Sequence, residues 1–223
     1  KAAGFLGPRK GKRLRDEQAQ RVDALLPALR LDLSGAEVRP ADLFAEPRAD
    51  LWLEIGFGGG EHLAHIASEH PDIGFIGWEP FVNGLAKMLA EIEQRGLSNV
   101  RLHDGNAADV LAKLPAASIG RLYLLYPDPW PKRRQRKRRF VSDRSLRAIA
   151  RVLKPGGEFR FASDIDDYCG WVLQRIARSP DFDWTAAEAS DWLTPFAGWP
   201  GTRYEAKALR EGRQPSYLTF RRR

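Results

Sequence analysis

The sequence predicts an α/β fold, a doubly wound and mostly parallel seven-stranded sheet with an antiparallel edge strand. Three observations carry it. Short β-rich apolar runs alternate with amphipathic segments, a glycine-rich turn follows the first run, and the last two runs break the alternation.

Residues 1–15 hold six Lys or Arg among Gly4, Gly7, Pro8 and Gly11, the composition of a flexible basic arm that orders on a partner. A helix follows over about 16–29. The runs "DLWLEI" 50–55, "IGFIGW" 73–78, "NVRLH" 99–103, "RLYLLY" 121–126 and "GEFRFA" 157–162 read as strands. Amphipathic stretches at 60–69, 80–95, 107–113, 142–153 and 165–178 read as the helices between them. "KPGG" at 154–157 closes the fifth of these in the usual Pro and Gly manner. "FDWTAA" 182–187 and "SYLTFR" 216–221 have no clearly patterned helix between them and are expected to form an antiparallel edge pair.

A chain of 223 residues suits one domain. The expected division is a basic arm and helix over 1–30 and a single domain over 31–223. Hydrophobic content of 43% with seven Trp excludes a disordered chain. No apolar run approaches membrane-spanning length, and the start lacks the apolar core of a secretory signal, so the expected compartment is the cytoplasm. The single cysteine, Cys169, reads as a buried helix residue, not a nucleophile. Formal net charge is +7, and seven of the eight residues from Lys132 to Arg139 are cationic, so the remainder is formally neutral and the basicity is one concentrated cluster with lesser accumulations at the two ends. Such a field attracts polyanions.

In sheets of this kind ligands bind beyond the carboxyl ends of the strands. The first, second and fourth strands each deliver a carboxylate at or next to that edge: Glu54, Glu79 and Asp128. The first loop has the spacing Glu54-x-Gly56-x-Gly58-x-Gly60, with Glu61 where a dinucleotide fingerprint wants its third glycine. An acid there disfavours a pyrophosphate, whereas S-adenosyl-L-methionine has no phosphate and a net positive methionine-sulfonium portion. Glu79 has the chemistry to accept both ribose hydroxyls. Asn106 in "HDGNAADVL" can donate to and accept from a base edge, with Asp104 as the competing candidate.

"PDPW" 127–130 after the fourth strand, the basic run behind it, "SD" 163–164 after the fifth strand and "TRYE" 202–205 together resemble the bacterial tRNA (guanine-N7)-methyltransferase family, over about residues 50–220. The resemblance implies a Rossmann-like class I methyltransferase domain acting on a guanine of the tRNA variable loop, guanine 46. It implies that Glu54, Gly56, Glu79, Asn106 and Asp128 meet the methyl donor and that Asp128 is the catalytic acid residue. Lys132, Asp164, Thr202, Arg203, Tyr204 and Glu205 would then meet the substrate. Where the family often has an acid, this chain has Asn106. Arg133, Arg134, Arg136, Lys137, Arg138 and Arg139 are expected to hold phosphates, with tRNA as partner and neither membrane, metal nor obligate protein partner required.

The chemistry agrees. Guanine offers N1–H and its amine as a donor pair for one carboxylate, while N7 already has an in-plane lone pair. Asp128 therefore need not be a general base. In a dry pocket it would stabilise the cationic methylated purine. Other readings remain beside this one. Trp130 offers either a stacking surface or core packing, and Thr202 with Glu205 has the spacing of a capping box. His62 and His65 read as ordinary helix residues, and Asp166 and Asp167 as a helix start. An exocyclic-amine methyltransferase and a non-catalytic RNA-binding protein are the rival functions.

Overall fold

The computed structural model describes residues 13–223. The expected basic arm over 1–15 lies outside them except for its last three residues. The helices are α1 (Asp16–Leu29), α2 (Glu61–Glu69), α3 (Val82–Arg95), α4 (Ala107–Lys113), α5 (Asp143–Val152), α6 (Asp166–Ile176), α7 (Ser190–Leu193) and α8 (Arg203–Arg210). The strands are β1 (Asp50–Ile55), β2 (Ile73–Trp78), β3 (Val100–His103), β4 (Ile119–Leu125), β5 (Leu153–Ser163), β6 (Phe182–Trp184) and β7 (Ser216–Arg222).

Seven strands form one sheet in the order β3-β2-β1-β4-β5-β7-β6. The first five run parallel, and β7 runs antiparallel to both β5 and β6. The reversed strand therefore lies inside the sheet, and the three-residue β6 forms the edge. Strand order reverses between β1 and β4, which opens a crevice at their carboxyl ends.

Alternation along β1 assigns its side chains to two layers. Leu51, Leu53 and Ile55 join a core with α4, α5 and α6, through Val110, Leu146, Ile149 and Val172. Trp52 faces the other way, into a core with α2 and α3 through Leu63, Leu85, Met88 and Leu89. Both layers being apolar, the strands read as continuous hydrophobic runs.

Two stretches depart most from expectation. α5 ends at Val152, and Lys154–Gly157 belongs to the start of β5, where the β4 register slips between Ile119 and Arg121. Gly156, at φ 77°, permits that bulge. Between β6 and β7 the chain forms the short α7 and the eight-residue α8, the segment whose helical pattern was not evident. α8 begins with the capping box: Thr202 Oγ1 accepts from the Glu205 N–H, and the Thr202 N–H donates to Glu205 Oε2.

Candidate active site

A cavity of about 1440 Å³ opens at the carboxyl ends of β1, β2 and β4. Gly56, Glu79, Asn106, Asp128, Arg203 and Tyr204 all line it, so residues far apart in sequence share one space. Gly56 has φ 75° with nothing within 4 Å of a Cβ built on it, which leaves open backbone facing the cavity.

Glu79 organises the glycine turn. The Gly58 N–H donates to its Oε2 at 2.8 Å and the Phe81 N–H to its Oε1 at 3.0 Å. Two amides leave part of the carboxylate's acceptor capacity for a further donor. Burial pushes this carboxyl up to about 7, against the pull of those two N–H groups; the nearby Asp128 charge adds to the rise and Arg203 opposes it. Gly84 of α3 lies directly over the turn, where a Cβ would collide with the Gly58 carbonyl.

Asn106 caps α4, its Oδ1 accepting from the Ala108 N–H at 3.1 Å, and its amide remains at the cavity wall. Asp104 is committed elsewhere, paired with Arg30 at 2.9 Å. Phe81, Lys87 and Arg144 also line the cavity. No sequence motif marks them; α3, the residue that caps it and α5 bring them there.

Glu54 is corrected by the structure. As the neighbour of Ile55 it points to the opposite face, under α2, where His62 Nδ1 lies 2.7 Å from its Oε2. Both side chains are buried, and Glu54 is not among the residues lining the cavity. Its carboxylate holds the helix that begins at the glycine turn. His65 Nε2 in turn contacts the Gly198 carbonyl.

Asp128 sits between two left-handed residues that are not glycine, Tyr126 at φ 48° and Trp130 at φ 42°. Each such conformation costs on the order of 1–3 kcal/mol, so the surrounding contacts must hold the loop. The Tyr126 N–H donates to the Ala162 carbonyl at 2.8 Å, and its ring stacks on Tyr204 at 6.4 Å and 18°. Asp128 is exposed at the cavity mouth, which corrects the expected dry pocket: exclusion of water there requires the ligand itself. Trp130 lines the cavity with the Arg138 guanidinium 4.9 Å from its ring centre, so it is not core.

The basic run forms a short 3-10 turn at Arg133–Arg138. Lys132, Arg133, Arg134, Lys137 and Arg138 are exposed there, and Arg136 pairs with Asp167 at 2.7 Å. Arg139 departs from expectation. Its side chain is 0% exposed, with Nε donating to the Pro129 carbonyl at 2.8 Å and Nη2 to the Asp167 carboxylate. It lies in the cavity wall with its charge already paired.

Of the residues expected at the substrate, Arg203 and Tyr204 lie over the glycine turn. Arg203 Nε pairs with Glu61 at 2.8 Å, and the Tyr204 ring would be 3.3 Å from a Cβ at Gly58. Asp164 is ion-paired with Arg213 at 2.6 Å. Glu205 is turned inward, a correction with a clear cause: as the third residue of α8 it accepts from Trp199 Nε1 at 2.7 Å and from the Tyr217 hydroxyl. Cys169 lies buried in α6, and burial pushes its thiol up to about 11, as suits a structural residue.

Residues 48–217 match a protein family described as "Putative methyltransferase". A protein of Rhizobium meliloti (strain 1021) named tRNA (guanine-N(7)-)-methyltransferase is 59% identical over 221 residues, 98% of this chain and 94% of its own. One of the same name from Bradyrhizobium diazoefficiens is 56% identical over 219 residues, covering 98% and 93%. Among solved structures, the 16S rRNA methyltransferase KamB aligns over 98% of both chains with a TM-score of 0.56 at 18% identity. A precorrin-6y C5,15-methyltransferase from Geobacter metallireducens GS-15 aligns with a TM-score of 0.52 at 14% identity, over 96% and 94%. These likenesses show the class I methyltransferase fold.

Proposed function

Because the chain belongs to the tRNA (guanine-N7)-methyltransferase family, we propose that it methylates N7 of a guanine in the tRNA variable loop, guanine 46, with S-adenosylmethionine as donor. The observation that carries the proposal is the meeting of Gly56, Glu79, Asn106 and Asp128 in one cavity rimmed by exposed cations. At about 1440 Å³ the cavity exceeds the roughly 300–1,000 Å³ of a single small-molecule site, which leaves room for a donor and a base together.

The donor, when bound, supplies an electrophilic methyl group on a sulfonium sulfur. Glu79 accepts the ribose hydroxyls with the capacity its two backbone bonds leave free, and Asn106 meets the adenine edge. The open backbone at Gly56 lets a ligand approach to contact distance. Asp128 accepts from N1–H and the amine of the guanine, which orients N7 toward the donor and stabilises the positive charge that methylation leaves on the purine. Alignment supplies the remainder, since N7 needs no deprotonation. Lys132, Arg133, Arg134, Lys137 and Arg138 neutralise phosphates around the mouth. A loop nucleotide reaches such a site more cheaply than a paired one.

The test is methyl transfer from labelled S-adenosylmethionine to unmodified tRNA, followed by nuclease digestion and mass spectrometry. The expected product is 7-methylguanosine from the variable loop. A methyl group on an exocyclic amine, or no transfer, overturns the reading. Asp128→Ala should abolish turnover and leave tRNA affinity nearly intact; a loss confined to binding would remove Asp128 from the chemistry.

A further inference from the structure

Resting on the reading of Asp128 as the carboxylate that meets guanine, we propose that Arg139 is a positioning residue for Asp128, and that the basic run carries two jobs in one stretch. Its exposed members face RNA. Its last member, buried, clamps the loop that carries the acid.

The geometry of the clamp is specific. One guanidinium donates through Nε to the Pro129 carbonyl at 2.8 Å, through Nη1 to the Asp167 carbonyl at 3.3 Å and through Nη2 to the Asp167 carboxylate. It lies 4.8 Å from the ring centre of Tyr168 and 5.1 Å from that of Trp171, so α6 supplies both its anion and its aromatic walls. Asp128 adjoins Pro129, and the loop is held in left-handed conformations at Tyr126 and Trp130 without glycine. Upstream, the Tyr126 N–H is fixed to the Ala162 carbonyl. Downstream, the bond from Arg139 is the matching restraint. Asp128 thus hangs between two anchors, one on β5 and one on α6.

Asp167 also bonds Arg136 Nη2 at 2.7 Å, joining the clamp to a half-exposed cation of the run. Only a planar fork spans a carbonyl and a carboxylate in this way; an ammonium makes a point contact. A displacement of about 1 Å at a reacting centre costs about 100-fold in rate, which sets the effect expected when the clamp opens.

The experiment compares Arg139→Gln, Arg139→Lys, Asp167→Asn and the double variant R139Q/D167N with the wild-type chain. Three quantities are read: the single-turnover rate of methyl transfer to tRNA at saturating donor and tRNA, the salt slope of tRNA binding, and the melting transition. Arg139→Gln should slow the rate by about 10–100-fold with the salt slope unchanged. Arg139→Lys, which keeps the charge, should not rescue it. Asp167→Asn should slow the reaction in the same direction, and the double variant should be less slow than the product of the single effects. A salt slope shallower by about 0.7–0.9 with the rate intact makes Arg139 a phosphate contact and overturns the proposal. Full rescue by lysine does so as well. If Arg139→Gln loses its cooperative melting transition, the exposed Asp167→Asn decides, and an unchanged rate there refutes the clamp. A wild-type chain that transfers no methyl group to tRNA defeats the functional reading with this one, whereas an active wild type matched by Arg139→Gln defeats this one alone.

Discussion

Gly84 offers the sharpest test of how the glycine turn is held. In most helices an Ala in place of Gly is stabilising, by about 0.5–1 kcal/mol through the unfolded chain. Here the added Cβ would fall well inside contact distance of the Gly58 carbonyl and 2.8 Å from Glu79 Cγ. The first is backbone and the second belongs to a side chain pinned by two N–H groups, so neither swings away at low cost. Overpacking of this kind costs about 1–3 kcal/mol, which outweighs the propensity gain. Gly84→Ala should therefore lose about 1–2 kcal/mol net, a fall of roughly 2–8 °C in melting temperature for a chain of this size. Because the collision pushes on the Gly58–Glu79 bond, affinity for S-adenosylmethionine should fall with it. Thermal denaturation and calorimetric donor titration read the two effects. A variant that melts above wild type with undiminished donor affinity would show that α3 does not press on the turn.

Three further outcomes are expected. With the Glu79 carboxyl pushed up to about 7 by burial, donor affinity should weaken as pH falls from about 8 to 6, and Glu79→Gln should flatten that profile. The folded state binds this proton more tightly than the unfolded chain, so the stability it contributes is present below the ordinary carboxyl value and lost as pH rises through about 7; melting of wild type against Glu79→Gln across that window checks the sign. Replacing Arg133, Arg134 and Lys137 by Gln should make the salt slope of tRNA binding shallower by about 2–3 if each holds one phosphate, with donor affinity constant; an unaltered slope moves the RNA face elsewhere. Glu205→Leu should strand the Trp199 and Tyr217 donors at about 1–3 kcal/mol each and lower the melting temperature, and an unshifted transition would mean that water replaces the carboxylate.

The correspondence between sequence and structure has a physical pattern. β1, β2 and α4 fall at the expected residues because apolar runs and helix caps are local properties of the chain. α8 was visible only as a capping box, since it is eight residues long and has few apolar positions to mark a core-facing stripe. Arg139 looked like its neighbours because all share one charge. What separates it is Asp167, 28 residues away, together with a carbonyl ten residues upstream.

By itself the amino-acid order determined the strand and helix succession, the glycine turn, the acids at the strand ends and the cluster of cations, all of them set by neighbours along the chain. Tertiary structure alone decided which of those charges meet the cavity. Glu79 and Asp128 line it, Glu54 and Glu205 are drawn into the protein by His62 and Tyr217, and Arg139 sits in the cavity wall with its charge held by Asp167. A carboxylate or guanidinium is the same residue in the sequence in either place. Its role follows from the partner that folding brings within hydrogen-bond distance, and chain spacing does not encode that partner.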